Sequence, residues 1–176
     1  GNITTYPIVK VGTQYWMREN LRATSYANGT YIEPQEKLDG TAGYFNTGDI
    51  YFYNGEALEA GEISPEGWQL PTAKDWQTLN KYVNKDASLL KGGEWRILSS
   101  DPNSEIGNPV SNLTMFSILP LGQWSHSGGH VNLNQAAGFW TWDYETDSIA
   151  KETIFFSGQS DEMQIASTQA SGQNFS

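Results

Sequence analysis

Residues 66–79 read EGWQLPTAKDWQTL, and this stretch decides the fold class. Thr72 precedes a run of helix-forming residues, and Asp75 follows three positions later, the spacing of a capping box. Trp76, Leu79 and Val83 then recur at i, i+3 and i+7. That period places them on one face of a helix within PTAKDWQTLNKYVNK. A weaker helical turn is expected from Asp86 to Lys91, closed by Gly92 and Gly93.

On the N-terminal side, residues 4–17 (TTYPIVKVGTQYWM) alternate as strand, turn and strand, with Gly12-Thr13 as the turn. Residues 43–55 (GYFNTGDIYFYNG) read as a short aromatic strand bounded by Gly and Asn. On the C-terminal side, Glu94–Leu98 suits a short strand, and Ser99–Asn112 is rich in turn formers and predicts a long loop. Four strand-like runs follow: TMFSILPLG, GFWTWDY, KETIFFSG and DEMQIAST. Gly- and Asn-rich turns separate them at the spacing of an antiparallel meander. The fold class is therefore α+β. One or two helices pack on short antiparallel sheets, and long loops lie in the β-rich C-terminal half. At 176 residues, a single domain over 1–176 is expected.

Composition removes several functions. Charged residues are only 17% and aromatics reach 13%, the reverse of a disordered chain. There is no Cys, so thiol nucleophiles, disulfides and thiolate metal sites are excluded. No run of roughly 18 apolar residues is present, so no membrane insertion by this domain is expected. The net charge of −10 repels a phosphate backbone and argues against nucleic acid as a partner. The acid is concentrated late. From Ile97 to Ser176, Lys151 is the single base against eight carboxylates.

Three segments carry a family resemblance. VGTQYWMRENL (11–21) resembles the V-x-I-G-x-Q-x-W-M-x-E-N-L opening of the Fibrobacter succinogenes major paralogous domain. EGWQLPTAKDWQTL resembles that family's C-P-x-G-W-H-L-P-T-x-x-E-W-x-x-L run. GFWTWDYE (138–145) sits where the family has a G-Y-W-W-S-S-T-E-like strand. Order and spacing agree over essentially the whole chain. Ser64 and Gln69 stand where the family often has Cys and His, and the chain closes at Asn174-Phe175-Ser176 where a longer last strand is usual. The final strand is therefore expected to be short or absent.

The resemblance implies a C-type-lectin-like fold, and LPTAKDWQTL is also similar to a signature of the formylglycine-generating enzymes that share it. Their chemistry uses Cys, which this chain lacks. The family implies an extracytoplasmic protein, on the cell surface or secreted, of bacteria such as the Bacteroidetes. The chain begins at Gly1 without Met, so a signal segment is presumed removed, and a lipid anchor upstream is compatible.

The signature residues Trp16, Met17, Glu19, Asn20, Leu21, Trp68, Leu70, Pro71 and Trp76 are open to two readings. They build a ligand pocket, or they are core and turn architecture. Large aromatics dominate burial, so architecture is the expectation. For ligand binding the candidates are Trp124, Trp140, Trp142, Tyr144 and Asp143, in the β-rich half. Trp140 and Trp142 alternate with Phe139 and Thr141, so one row can face out and stack on sugar rings or a protein surface.

Asp101, Asn103 and Glu105 have the 1-3-5 spacing of a calcium loop, and Asp101-Pro102-Asn103 resembles the Glu-Pro-Asn of C-type lectins. Ile106 and Asn112 occupy positions that require Gly and Glu in an EF-hand. The cofactor expectation is none, with calcium the one ion this loop could take. His126 and His130 lie in a Gly-containing loop without an evident third ligand. Asp143 and Glu145 share one face of a strand at a separation compatible with glycoside hydrolysis. No constellation joins nucleophile, base and orienter, so no enzyme is expected. The reading is a non-catalytic surface or secreted module that binds a glycan or protein partner through the C-terminal half. The alternative is a structural domain of a larger surface or fimbria-like assembly, with no small ligand.

Overall fold

The computed structural model describes residues 4–36, 40–125, 129–167 and 173–174. It is a mixed α+β structure with few helices and small, mostly antiparallel sheets. The N-terminal alternation forms the hairpin β1 (Ile8–Val11) and β2 (Gln14–Met17), in register Val11↔Gln14. Gly12 at the turn has φ +61°, which Gly adopts without a Cβ penalty. β3 (Glu33–Pro34) runs parallel to β4 (Gly43–Thr47), which pairs antiparallel with β5 (Ile50–Tyr53). The aromatic run expected as one strand is thus two, because Gly48 at φ +58° turns the chain between them.

A five-residue helix, α1 (Gly55–Glu59), follows at once. Asn54 caps it. Its Oδ1 accepts from the Ala57 and Gly43 amides, and its Nδ2 donates to the Thr41 carbonyl. One buried side chain therefore starts the helix and ties it to β4. The expected long helix is α2 (Ala73–Tyr82), with both bonds of the Thr72/Asp75 capping box in place. Trp76, Leu79 and Val83 are all buried. The weaker helical turn is a 3₁₀ turn, Ala87–Leu89, with Asp86 as its cap.

The C-terminal half is less strand-rich than its sequence suggests. Residues 94–98 and 114–122 contribute only isolated bridges, Arg96↔Ile106, Lys91↔Ile118 and Gly122↔Ala137. β6 (Gln123–Ser125) pairs with β7 (His130–Val131) and with β11 (Gln173–Asn174), so the terminal strand is short but paired. The meander is β8 (Ala136–Asp143), β9 (Ser148–Ser157) and β10 (Gln164–Ser167), with β9 central. Among the described residues, no helix is long and apolar enough to cross a membrane.

Two hydrophobic clusters flank the β8–β9 ribbon. Ala137, Phe139, Ile154 and Phe156 belong to or pack on a cluster built with Trp76, Leu79, Trp95 and Phe116. Trp140, Trp142 and Ile149 belong to or pack on one built with Tyr53, Ala57, Leu58 and Ile63. Alternate residues of a strand point to opposite faces, so this ribbon is covered on both. The first face is covered by α2 and the second by α1 and the residues after it. Lys91, fully buried, joins the halves: its Nζ donates to the Ser157 and Ser160 carbonyls and lies 4.8 Å from the Trp95 ring centre. Burial holds its pKa below the ordinary lysine value, against the opposing pull of Asp161 and Asp86.

Candidate functional site

β2 and the chain that follows it, residues 14–21, form one wall of a cleft of about 620 Å³. The loop Ser64–Pro71 and the start of α2 form the facing wall. Phe116, Ile118, Phe139 and Trp140 line its inner part. Each wall is held by identifiable bonds. Gln14 Nε2 donates to the Asp75 carbonyl at 3.1 Å and ties the hairpin to the helix start. The Tyr53 hydroxyl lies 3.2 and 3.0 Å from the Leu21 and Ala23 carbonyls and anchors the chain after β2. Burial pushes that phenol far above its ordinary pKa.

The opposite loop turns at Pro65–Trp68, where the Trp68 amide donates to the Pro65 carbonyl at 2.9 Å. Gly67, at φ +80°, takes the third position of that turn, which needs a left-handed residue. The loop then docks on β8. The Trp142 amide donates to the Pro71 carbonyl at 3.0 Å, and the Tyr144 hydroxyl to the Leu70 carbonyl at 3.2 Å.

Aromatics dominate the interior. Trp16 packs on Trp76 with ring centres 4.8 Å apart and on Phe116 at 5.3 Å, and Trp76 lies 5.1 Å from Phe139. Trp140 donates its indole N–H to the Tyr53 carbonyl at 2.9 Å. Polar groups sit around this apolar interior. Arg18 reaches the Ser117 hydroxyl at 3.3 Å, and Asn20 and Gln69 line the walls. Glu19 pairs with Arg22 at 2.7 Å. Across Leu58 and Leu70, which line both, lies a smaller hollow of about 250 Å³. Glu59, Glu62 and Asp147 surround Trp142 and Tyr144 there.

The residues expected to bind ligand fall in different places. Trp142 is only 8% exposed and sits in the second core, so the exposed-platform reading is corrected there. The covering element is α1, whose five residues are too few to show helical periodicity in sequence. Trp140 faces the same way but lines the cleft. Trp124, half-buried on β6, stacks on Phe45 at 5.0 Å and 17°. Tyr144 is 47% exposed. Burial raises its pKa first, and Glu62, Asp75 and Asp147 add to the shift. Asp143 spends its carboxylate on the turn after β8, accepting from the Glu145 and Thr146 amides. The Glu145 amide bond is the main reason its pKa falls below the ordinary value.

The proposed calcium loop is engaged internally. Asp101 Oδ1 accepts from the Asn103 amide at 2.8 Å, and its carbonyl from Gln135 Nε2 at 2.7 Å. Among the described residues no three His, Cys, Asp or Glu side chains gather as a metal set, Glu105 included. His130 bonds the Leu121 carbonyl through Nε2 and packs on Phe52, and His126 lies outside the described residues.

The signature residues taken as architecture are thus also the walls of the cleft. Tyr53, Leu58, Phe116 and Ser117 were not singled out in the sequence. Their signal is faint, because they come from three separate places: the end of β5, helix α1 and the irregular segment 114–122.

This is an α+β module whose two longest sequence signatures meet around one aromatic cleft. The chain belongs to the Fibrobacter succinogenes major domain family, whose model matches residues 9–175. No curated protein and no solved structure matches it.

Proposed function

We propose that this chain is a non-catalytic recognition module of an extracytoplasmic bacterial protein, on a C-type-lectin-like scaffold. Its ligand, a glycan or a protein segment, sits in the cleft between residues 14–21 and 64–71. The observation that carries this reading is the convergence of two signatures about 50 positions apart on one cavity of about 620 Å³, within the usual range for ligand sites. An apolar aromatic interior with a few polar groups is the composition of a binding site. The two carboxylates that line the cleft are already committed: Asp75 to the helix cap and Glu19 to Arg22. That commitment supports binding over acid–base chemistry, which needs a free group in reach of the substrate.

The test is binding of the intact chain to a glycan array and to a displayed peptide library. Trp68→Ala is the companion variant, since Trp68 is half-buried on a loop. Hits lost in Trp68→Ala support the cleft. Hits unchanged by Trp68→Ala and lost in Trp124→Ala would move the site back to the C-terminal half.

A further inference from the structure

The phase of the β1–β2 ladder shows what the cleft offers a ligand. Val11↔Gln14 closes a two-residue turn, and the Arg18 amide donates to the Pro7 carbonyl at 2.9 Å. Hydrogen-bonded pairs recur every second residue, so Val9↔Trp16 is bonded within the hairpin. Tyr15 and Met17 then turn their N–H and C=O groups to the outer edge of β2. Among the described residues these groups have no partner. Gln14, Tyr15, Trp16 and Met17 all line the cleft. Four consecutive strand residues can share one cavity only if it runs along the strand's edge, because their side chains alternate. The other edge of β2 is taken by β1. The cleft therefore runs beside an open strand edge above an aromatic interior.

Charge selects the occupant. The small hollow that shares Leu58 and Leu70 with the cleft is walled by Trp142 and Tyr144 and carries Glu59, Glu62 and Asp147. No Lys or Arg lines it among the described residues. A cationic side chain fits there, between carboxylates and aromatic walls. The chain itself is at −10, which makes a second copy a poor partner for this corner.

Resting on the cleft as the ligand seat, we propose that its ligand is an extended segment of a separate, basic partner protein. That segment adds as a strand to the free edge of β2. Its backbone bonds Tyr15 and Met17, its apolar side chains enter the aromatic cleft, and a Lys or Arg reaches the Glu59–Glu62–Asp147 hollow. This is strand addition, in which main-chain bonds supply affinity and pockets for alternate side chains supply specificity.

The probe is a set of synthetic peptides of about eight residues, an ordinary strand length, alternating Val or Phe with Thr and ending in Lys. Each is made with native amides, with alternate amides N-methylated, and with the Lys replaced by Glu. Affinity is read by calorimetry, and amide exchange at Tyr15 and Met17 by NMR. Cellohexaose and xylohexaose serve as glycan probes. The expected result is binding of the native peptide with slowed exchange at both amides. The N-methylated form should bind at least about tenfold more weakly, and the Glu form several-fold more weakly.

Met17→Pro removes one outward N–H and no ladder bond, a position where an edge strand tolerates Pro. It should weaken peptide binding without shifting the melting midpoint by more than a few degrees. If Met17→Pro misfolds, the N-methylated peptides and the exchange data decide alone. Equal affinity of N-methylated and native peptides would overturn strand addition. So would a hexaose that binds through Trp68 without protecting Tyr15 and Met17, although the cleft would stand as the seat. A dimer by light scattering with the same two amides protected would overturn the separate partner. No binding by any probe, with Trp68→Ala silent in every assay, would overturn strand addition and the cleft together.

Discussion

Trp68 and Trp142 are the same residue type in two regions that handle aromatics differently. In the β-rich half, Trp142 is largely buried because the β8–β9 ribbon is covered on both faces, by α2 and by α1. In the N-terminal half, Trp68 stands on a tight turn, and the space beside it stays open. Regular alternation, the feature that first suggested an exposed row, marks the closed region. Irregular, Pro- and Gly-punctuated chain supplies one wall of the open one. Cavities form where elements meet at angles that side chains cannot fill.

The largest effect that tests this contrast is Trp142→Ala. Loss of a buried Trp should cost about 3–5 kcal/mol in chemical denaturation. Trp68→Ala should cost roughly 1 kcal/mol or less while removing ligand binding. Comparable losses from the two would mean that the cleft is part of the core and would break the contrast.

Next comes close backbone packing in the C-terminal half. A Cβ on Gly158 would lie 1.9 Å from the Arg96 carbonyl oxygen. That oxygen cannot swing aside as a flexible side chain would, so Gly158→Ala should cost about 1–3 kcal/mol or more through overpacking. A neutral Gly158→Ala, read by the denaturation midpoint, would show that this half is looser than its contacts indicate. A smaller change probes the cleft's own wall. Thr72→Ala removes the side-chain half of the capping box and should cost about 1 kcal/mol. Because the cap also orients Asp75, whose carbonyl holds Gln14, ligand affinity should fall with it. Unchanged affinity would separate the cleft from the helix start.

Much of this was legible in the sequence. The capping box, the face Trp76–Leu79–Val83 and the Gly12-Thr13 turn are local signals whose physics acts within a few residues. The meander was legible from β-branched and aromatic runs. The second strand of the aromatic hairpin was missed because one Gly at positive φ splits an otherwise continuous run. Helix α1 was missed because its formation rests on Asn54, whose amide also holds β4. That bond is tertiary and leaves no periodic trace. Missing α1 led to Trp142 being read as exposed, since α1 covers that face. The cleft was half legible: its residues were named as signatures, but a void between them is a property of their arrangement and not of their types.

The smallest effect lies at Lys91, where the two regions join. Its ammonium is buried against the Ser157 and Ser160 carbonyls and the Trp95 ring. Burial lowers its folded pKa below the unfolded value. Between those two values the folded chain has released a proton that the unfolded chain still holds. Stability therefore rises with pH through that window and levels off above the ordinary lysine pKa. Below the folded value both states are charged and the term is flat. Tyr53 and Tyr144 act in the opposite sense. Their raised pKa values keep the folded phenols protonated after the unfolded ones ionise, and stability is lost as pH climbs past about 10. The measurement is thus a difference. Denaturation midpoints of the native chain and of Lys91→Met are compared across the alkaline range, where the tyrosines contribute equally to both. The gap should move in favour of the native chain as pH rises. A gap that stays constant would mean that the carbonyls and Trp95 compensate fully for burial of the ammonium, and that Lys91 joins the two regions without an electrostatic cost.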